Sequence, residues 1–185
     1  QEGIRDVNGK PLIWEACFTM NDSWGYRLTD KYFKPASMLI KKLVECVSKG
    51  GNMLLNVGPD AKGNFPEESV HILQEIGKWM DKNSESIYGC GMSEMPRPDF
   101  GRITQKGNLL YYHIFDNTIG PIPLLGIEKK DVKKIRLISS GAEVPIANNW
   151  VSNNYPDITF ADLGNNPILP DPVDTVLEVE LQHQK

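Results

Sequence analysis

The sequence has few cysteines and no long apolar run. Cys17, Cys46 and Cys90 are the cysteines among 185 residues, and none lies in a CxxC pattern or a cysteine–histidine cluster. Three cysteines cannot all pair with one another, so we expect buried free thiols and neither a disulfide framework nor a zinc site. No stretch reaches the roughly eighteen apolar residues of a transmembrane helix, which argues against a membrane partner.

Charge of one sign is not concentrated anywhere in the chain. Twenty Lys and Arg residues stand against 24 Asp and Glu, giving a formal net charge of −4, and the basic residues are scattered. A nucleic-acid partner requires a clustered basic face, so we expect a neutral or polyhydroxyl ligand instead. His71, His113 and His183 form no metal-ligand or triad pattern, and no Gly-Lys-Ser/Thr phosphate loop follows the glycine pairs. We therefore expect no cofactor and no metal.

The first half of the chain alternates strand and helix patterns. Leu12 to Met20 is an apolar run with little alternation, which is typical of a strand buried on both faces. Apolar residues then recur at helical spacing from Pro35 until Gly50-Gly51, Asn52 to Val57 is a second buried strand, and Pro66 to Met80 carries another apolar helical stripe. This order predicts βα units of a parallel sheet.

Beyond about Tyr88 the pattern changes to short β-rich runs separated by glycine, asparagine and proline. Met95 to Phe100 contains two prolines and indicates a linker. Four runs then predict strands: Leu109 to Phe115, Val132 to Ile138, Ile158 to Phe160, and Thr175 to Leu181. These runs predict an antiparallel β-sandwich, so the expected fold class is α/β plus all-β, with residues 1–88 and 89–185 as the two domains.

Two motifs carry a resemblance to a known family. The first, WEACFTMN at Trp14 to Asn21, is followed by Ser23-Trp24-Gly25-Tyr26, and the second is SKGGNMLLNVGP at Ser48 to Pro59. In this order and spacing they resemble the end of the catalytic barrel of glycoside hydrolase family 29, the α-L-fucosidases. The resemblance covers Trp14 to Tyr88 closely and continues more weakly through a region that resembles the family's C-terminal β-sandwich.

The resemblance implies that the chain holds the last βα units of a (β/α)8 barrel. A complete barrel needs eight such units and about 250 residues. We therefore expect the chain to be a fragment, with the missing upstream barrel segment as a partner. By resemblance, a secreted, periplasmic or lysosomal location is favoured.

The resemblance also implies a retaining glycosidase that removes terminal α-L-fucose from fucosylated glycans. Such enzymes use two carboxyl groups, a nucleophile and an acid/base. The family's nucleophile is an aspartate on a middle barrel strand, upstream of Gln1, so this chain alone is expected to be inactive. Glu2 matches the loop that carries the acid/base residue, and Asp6 is its nearest competitor.

Two further residues are candidates for the site. Glu15 interrupts an apolar strand, where an unpaired charge would be costly, so we expect it to have a partner. It is either a supporting carboxylate or alternative acid near the site, or the counter-ion of a structural Arg or Lys. Trp24 matches the family's aromatic position that lines the pocket for the C5 methyl of fucose, and core packing is its alternative. Asn52 and Asn56 flank the second strand, where we favour a loop-fixing role.

A second class of function is sugar binding without catalysis. Sandwich modules with exposed aromatic residues bind carbohydrates, and Tyr111, Tyr112, Trp150 and Tyr155 are available, with the barrel remnant as their support. The alternation of Tyr112 with Ile114 favours the core for that tyrosine. Solvent-facing Trp150 and Tyr155 would favour the binding module, whereas burial of both would argue against it.

Overall fold

The structure is a computed structural model that describes residues 3–164 and 168–183. It is a mixed α/β arrangement in which helices and a parallel strand pair come first and antiparallel sheets follow. Across these two ranges, no helix combines the length and apolar character needed to cross a membrane.

The first half contains a strand–helix–strand unit. Strands β1 (Glu15–Thr19) and β2 (Asn52–Asn56) pair in parallel and are joined by helix α1 (Ala36–Ser48). Pro35 is the N-cap of α1, and Gly50, with φ of +75°, turns the chain into β2. Helix α2 (Glu67–Asn83) begins after Pro66 with two glutamates in its first turn. The predicted order of strand, helix, strand and helix is confirmed.

The prediction that these strands are buried on both faces is wrong. The first strand begins at Glu15, not at Leu12, and exposure alternates along both strands. Leu55 packs against the cluster that contains Leu39 of α1 and Ile72 of α2, whereas Leu54 on the opposite face is 50% exposed. The helices cover only one face of this two-stranded sheet.

The prediction of free thiols is confirmed, but the prediction that all of them are buried is wrong for Cys17. All three thiols are free, but only Cys46 on α1 is buried, and Cys90 is half-buried. Burial raises the pKa of both thiols, that of Cys90 to about 11. Cys17 pairs with Leu54 in the parallel register and is exposed with it on the uncovered face.

The second half is built around a five-stranded antiparallel sheet. Its strand order is β3-β4-β5-β9-β7, and a smaller sheet pairs β6 with β8. The strands are β3 (Gly91–Met92), β4 (Gly101–Lys106), β5 (Leu109–Ile114), β6 (Ile122–Leu124), β7 (Val132–Leu137), β8 (Thr159–Ala161) and β9 (Thr175–Leu181). The four predicted strands are confirmed to within one residue at each end. The sequence did not predict β4, whose residues GRITQK are mostly polar, and residues 95–100 are irregular as expected.

Both faces of the five-stranded sheet are buried. On one face Tyr112 and Leu177 belong to an apolar cluster with Ile122 and Leu124 of the small sheet. On the other face Tyr111 and Val176 belong to a second cluster that also contains residues of both long helices, namely Ile40, Val44, Val47 and Trp79. The helices of the first half and the sheet of the second half therefore share a core.

A buried hydrogen-bonded chain crosses the same contact. The Thr104 hydroxyl donates to the Ser86 carbonyl at 2.7 Å, so its oxygen is free to accept from His113 Nε2 at 3.2 Å. His113 Nδ1 lies 2.7 Å from Asp174 Oδ2, and both side chains are fully buried. Burial raises the pKa of Asp174, although the adjacent His113 acts to lower it. These contacts link β4, β5 and the residue before β9 to the turn that follows α2.

Candidate active site

The carboxyl ends of β1 and β2 lie at one edge of the parallel pair, and their following loops meet there. In α/β folds with parallel strands, ligands bind at this edge because the loops after the strands converge on it. A cleft of about 280 Å³ lies between the loops, and its walls include Asn21, Tyr26, Asp30, Gly58 and Phe65. This edge is the candidate active site.

Asn56, the last residue of β2, fixes the loop that follows β1. Its Nδ2 donates to the Trp24 carbonyl at 2.7 Å and to the Thr19 hydroxyl at 3.3 Å. Thr19 in turn donates to the Ser23 carbonyl at 3.0 Å. The loop-fixing role predicted for Asn56 is confirmed. The sequence analysis did not identify Thr19 as part of this contact. The one feature of the sequence that could have indicated it is its position at the end of the strand.

The two loops also touch through their backbones. A Cβ at Gly58 would lie 2.8 Å from both the Gly25 carbonyl carbon and the Tyr26 nitrogen. A real Cβ does not tolerate a backbone atom at that distance, so this position requires glycine. The Trp24-Gly25-Tyr26 segment is therefore held from one side by a hydrogen bond and from the other by close packing.

The carboxylates of these loops are occupied in holding turns. Asp30 accepts from the backbone nitrogens of Ser23 at 2.9 Å, Asp22 at 3.2 Å and Tyr32 at 3.3 Å. Partial desolvation acts to raise the pKa of Asp30, but the hydrogen bonds from Ser23, Tyr32 and Asp22 lower it overall. The backbone amide of Asn64 is the main cause of a lowered pKa at Asp60. Neither aspartate is suited to donate a proton near neutral pH.

Trp24 projects from this fixed loop. Its side chain is 57% exposed, and the neighbouring Tyr26 is 45% exposed. The alternative that Trp24 packs in the core is therefore wrong. A large apolar face presented at the carboxyl edge is available for contact with a ligand.

Glu15 departs from its predicted environment. The carboxylate is exposed, and its one hydrogen bond within the described ranges is the Cys17 thiol, which donates at 3.8 Å. The burial and the Arg or Lys partner expected for Glu15 are not found among the described residues, because β1 exposes the face on which Glu15 lies. Glu15 also begins β1 while Thr19 ends it, so about 13 Å of strand separates Glu15 from the edge that carries Trp24.

The two acid/base candidates near the start of the chain have different outcomes. Glu2 lies outside the described residues. Asp6 accepts hydrogen bonds from the backbone nitrogens of Asn8 at 2.9 Å and Lys10 at 2.8 Å. Asp6 therefore stabilises a local turn.

The aromatic residues of the second half divide into two groups. Tyr111 and Tyr112 are buried at 1% and 0% exposure, so they present no sugar-binding surface. Trp150, at the start of the short helix α3 (Trp150–Asn154), is 73% exposed, and Tyr155 after it is 56% exposed. The core position predicted for Tyr112 is confirmed.

We expect Asn56→Ala to loosen the Trp24 loop. Loss of two hydrogen bonds should lower the free energy of unfolding by about 1–2 kcal/mol. Urea unfolding measures that loss, and the rate of tryptic cleavage after Arg27 and Lys31 reports on the loop. Asn52→Ala is the matched control, because Asn52 is exposed at the opposite end of β2 and its side chain forms no hydrogen bond within the described residues, so the loop-fixing role predicted for it is not observed. An equal free energy of unfolding and an equal rate of tryptic cleavage in the two variants would contradict a loop-fixing role for Asn56.

Comparison with known proteins places the chain in a family. The family model described as alpha-L-fucosidase matches residues 2–85. An α-L-fucosidase of Dictyostelium discoideum is 49% identical over 81 residues, which are 41% of this chain and 17% of that protein.

Solved structures extend the similarity to nearly the whole chain. α-L-fucosidase isoenzyme 1 from Paenibacillus thiaminolyticus is 50% identical with a TM-score of 0.93, covering 98% of this chain and 42% of that one. A GH29 α-L-fucosidase from Bacteroides thetaiotaomicron, trapped as a covalent intermediate with 2-fluoro-fucosyl fluoride, is 25% identical with a TM-score of 0.79, covering 97% and 40%. The chain thus spans less than half the length of these relatives. By sequence and by structure, it belongs to the α-L-fucosidase family, glycoside hydrolase family 29.

Proposed function

We propose that this chain is the C-terminal part of a retaining α-L-fucosidase that hydrolyses terminal α-L-fucose from glycans. Residues 1–88 are then the last βα units of a (β/α)8 barrel, and residues 89–185 are a C-terminal β-sandwich. The observation that carries the proposal is the match to the Paenibacillus α-L-fucosidase, with a TM-score of 0.93 over 98% of this chain but only 42% of that one.

The uncovered face of the parallel pair supports a larger barrel. Cys17 and Leu54 lie side by side on this face, and Leu54 is half exposed. Among the described strands, β1 and β2 pair only with each other, so each keeps an unpaired edge. Exposed edges and apolar faces are costly, and barrel closure covers both. The upstream part of the barrel is the natural occupant of this surface.

The proposed reaction divides its roles between this chain and the upstream segment. An upstream aspartate attacks the anomeric carbon while Glu2 protonates the departing glycosidic oxygen, so that a glycosyl-enzyme ester forms as the glycosidic bond breaks. Glu2, now a carboxylate, then removes a proton from water, which attacks the ester and releases fucose and the aspartate. Trp24 contacts the C5 methyl of the sugar.

Glu15 fits a supporting role better than direct proton transfer. It lies on the face of β1 that would point into the barrel, but at the opposite end of the strand from Trp24. Catalytic residues of such barrels lie at the carboxyl ends of the strands. A charge at the other end would pair with a group from an upstream strand and stabilise the barrel interior.

A non-catalytic sugar-binding module is the second candidate function. The observation in its favour is the exposure of Trp150 and Tyr155, which suit stacking against a sugar face. The two candidate functions differ in which tryptophan a bound glycan shields from solvent. A catalytic site predicts protection at Trp24, and a binding module predicts protection at Trp150.

We expect the purified chain, verified by intact mass, to hydrolyse no aryl α-L-fucoside. In the proposed division of roles the nucleophile lies in the upstream segment, and acid/base assistance alone contributes only about 10²- to 10⁴-fold. Mixing or fusing the chain with the upstream segment of the same protein should restore turnover, measured by release of the aryl alcohol. A Leu54→Lys variant should impair this restoration, while Leu28→Lys, an exposed loop control, should not. Turnover by the chain alone would refute the division of roles.

In the complete enzyme, Glu2→Gln should slow fucosides with poor leaving groups far more than activated aryl fucosides. Only the poor leaving groups need protonation as the glycosidic bond breaks. Azide should partly rescue the second step by replacing water, with fucosyl azide as the product. Glu15→Gln is the matched control and should slow both substrate types equally. The reverse pattern would transfer the acid/base role to Glu15.

Trp24→Ala in the complete enzyme should narrow the preference for α-L-fucosides over α-L-galactosides. The galactoside adds one hydroxyl at the methyl carbon, and apolar contact with that methyl is worth about 1–3 kcal/mol, or roughly 10- to 200-fold in kcat/KM. Comparing two substrates on one variant cancels general folding damage. Trp150→Ala, another exposed tryptophan, should leave the ratio unchanged. Equal losses for both substrates would exclude a methyl-binding role for Trp24.

A further inference from the structure

A second concave site lies between the N-terminal half of α1 and the ends of β4 and β5. The groove measures about 480 Å³ and shares no lining residue with the cleft at the carboxyl ends of β1 and β2. Its walls include Met38, Lys41 and Glu45 from α1, and Arg97, Arg102 and Phe115 from the sheet half. The reaction proposed above uses none of these residues.

Arg102 is an incompletely satisfied cation in the wall of this groove. Its side chain is only 13% exposed. Nη1 donates to the carbonyl of the preceding Gly101 at 3.2 Å, Nη2 lies 3.5 Å from Glu45, and the buried Nε has no partner. A guanidinium offers five N–H donors in a planar fork, and burying them without acceptors is unfavourable. Nε is sealed from solvent, so the Nη groups, of which one N–H has an acceptor at 3.2 Å, are the donors that can reach an acceptor placed in the groove.

Glu45 is not the missing acceptor. Lys42 and Lys49 both bind its carboxylate at 2.8 Å, closer than Arg102 does. Hydrogen bonds from Lys42 and then Lys49 lower the pKa of Glu45 to about 2, although burial opposes them. The charge of Glu45 is thus already compensated by two lysines.

The remaining charges leave the groove positive. Lys41, Arg97 and Arg102 face Asp99 and Asp116, an excess of one positive charge in a chain whose net charge is −4. Throughout residues 3–164 and 168–183, Lys41 and Arg97 form no ion pair within 4.0 Å. Two cations without an ion pair among the described residues, beside a guanidinium with unused donors, favour an anionic ligand.

The groove also has apolar surfaces of a size suited to a sugar ring. Lys41 Nζ lies 5.2 Å from the centroid of the Phe115 ring, and the side chain of Met38 is 47% exposed beside Pro35. A volume of about 480 Å³ is far larger than an isolated oxyanion needs and lies within the range of small-molecule sites. The ligand should therefore carry its anionic group on a ring.

We propose that this groove is a binding subsite for an acidic sugar, a saccharide that bears a carboxylate or a sulfate ester. The Arg102 fork binds the oxyanion, Lys41 adds a second positive charge, and the Phe115 and Met38 side chains pack against the ring. The choice of a saccharide rests on the proposed function. The oxyanion preference rests on the geometry of the groove alone.

The test is calorimetric binding to the 185-residue chain, after circular dichroism and thermal melting show that it is folded. The probes are methyl β-D-glucuronide, glucose 6-sulfate, the neutral methyl β-D-glucoside and inorganic sulfate. We expect at least one acidic sugar to bind tenfold or more tightly than the neutral glucoside and than sulfate. Added salt should weaken the binding of that acidic sugar. Equal binding of the glucoside would overturn the anionic character of the site, and equal binding of sulfate would overturn its preference for a ring.

Variants assign the binding to the groove. Arg102→Lys keeps the positive charge but loses the forked guanidinium, and Lys41→Met keeps the apolar stem but loses the charge. Each variant should raise the Kd for the acidic sugar tenfold or more. Arg5→Lys and Lys130→Met, at exposed positions outside the groove, are the controls and should bind normally. Lys41→Met tests the proposal even if Arg102→Lys unfolds. Unchanged binding in Lys41→Met would refute it.

The same titration on the complete enzyme separates this inference from the proposed catalytic function. Binding there, with or without fucosidase turnover, supports the subsite. Binding by the 185-residue chain but not by the complete enzyme would show that the upstream segment fills the groove, and would overturn the proposal. Absence of turnover with intact binding would count against the catalytic function alone.

Discussion

The contact between the two long helices and the five-stranded sheet is the interaction on which the other features depend. Val44 and Trp79 from the helices pack with Tyr111 and Val176 from the sheet in one apolar cluster. Burial of such side chains contributes about 1.5–3 kcal/mol each, more than the surface ion pairs of this chain supply. The cluster fixes α1, and α1 in turn positions the parallel strands and one wall of the charged groove.

Polar contacts give this apolar interface a defined geometry. Arg136 on β7 lies 2.7 Å from Glu178 of β9 and 3.0 Å from Glu85 in the turn that follows α2. The buried chain from Ser86 through Thr104 and His113 to Asp174 spans the same contact. Apolar packing is non-directional, whereas these hydrogen bonds are satisfied in only one arrangement. The two halves of the chain therefore meet in a single orientation.

At the carboxyl edge of the parallel strands, contacts within this chain hold the loop of the candidate site in place. Asn56 and the close approach at Gly58 hold the Trp24 loop without any contact from an upstream segment. Trp24 itself remains exposed, as the sugar-contacting role proposed for it requires. In the barrel enzyme proposed above, functional residues come from several strands, so this loop would complete a site only together with the other strands.

Local patterns in the sequence predicted a substantial part of this structure. The period of apolar residues predicted α1 and α2, and runs of β-branched and aromatic residues predicted β5 and β9, because these elements bury regular stripes or faces. Strand β4 was not predicted, because its own residues are mostly polar. Pairing with β3 and β5 holds it in the sheet. The family followed from two motifs, Trp14 to Asn21 and Ser48 to Pro59, and was confirmed by comparison.

The sequence by itself thus determined the strand–helix–strand–helix order of the first half, four strands of the second half and the family. The tertiary structure decided which face of each strand is covered, and so it decided that Glu15 and Cys17 are exposed. It also brought Arg102 of β4 beside Lys41 and Glu45 of α1, residues about sixty positions apart in the chain. Local propensity acts over a few neighbouring residues, whereas burial and charge pairing depend on which distant segments pack together.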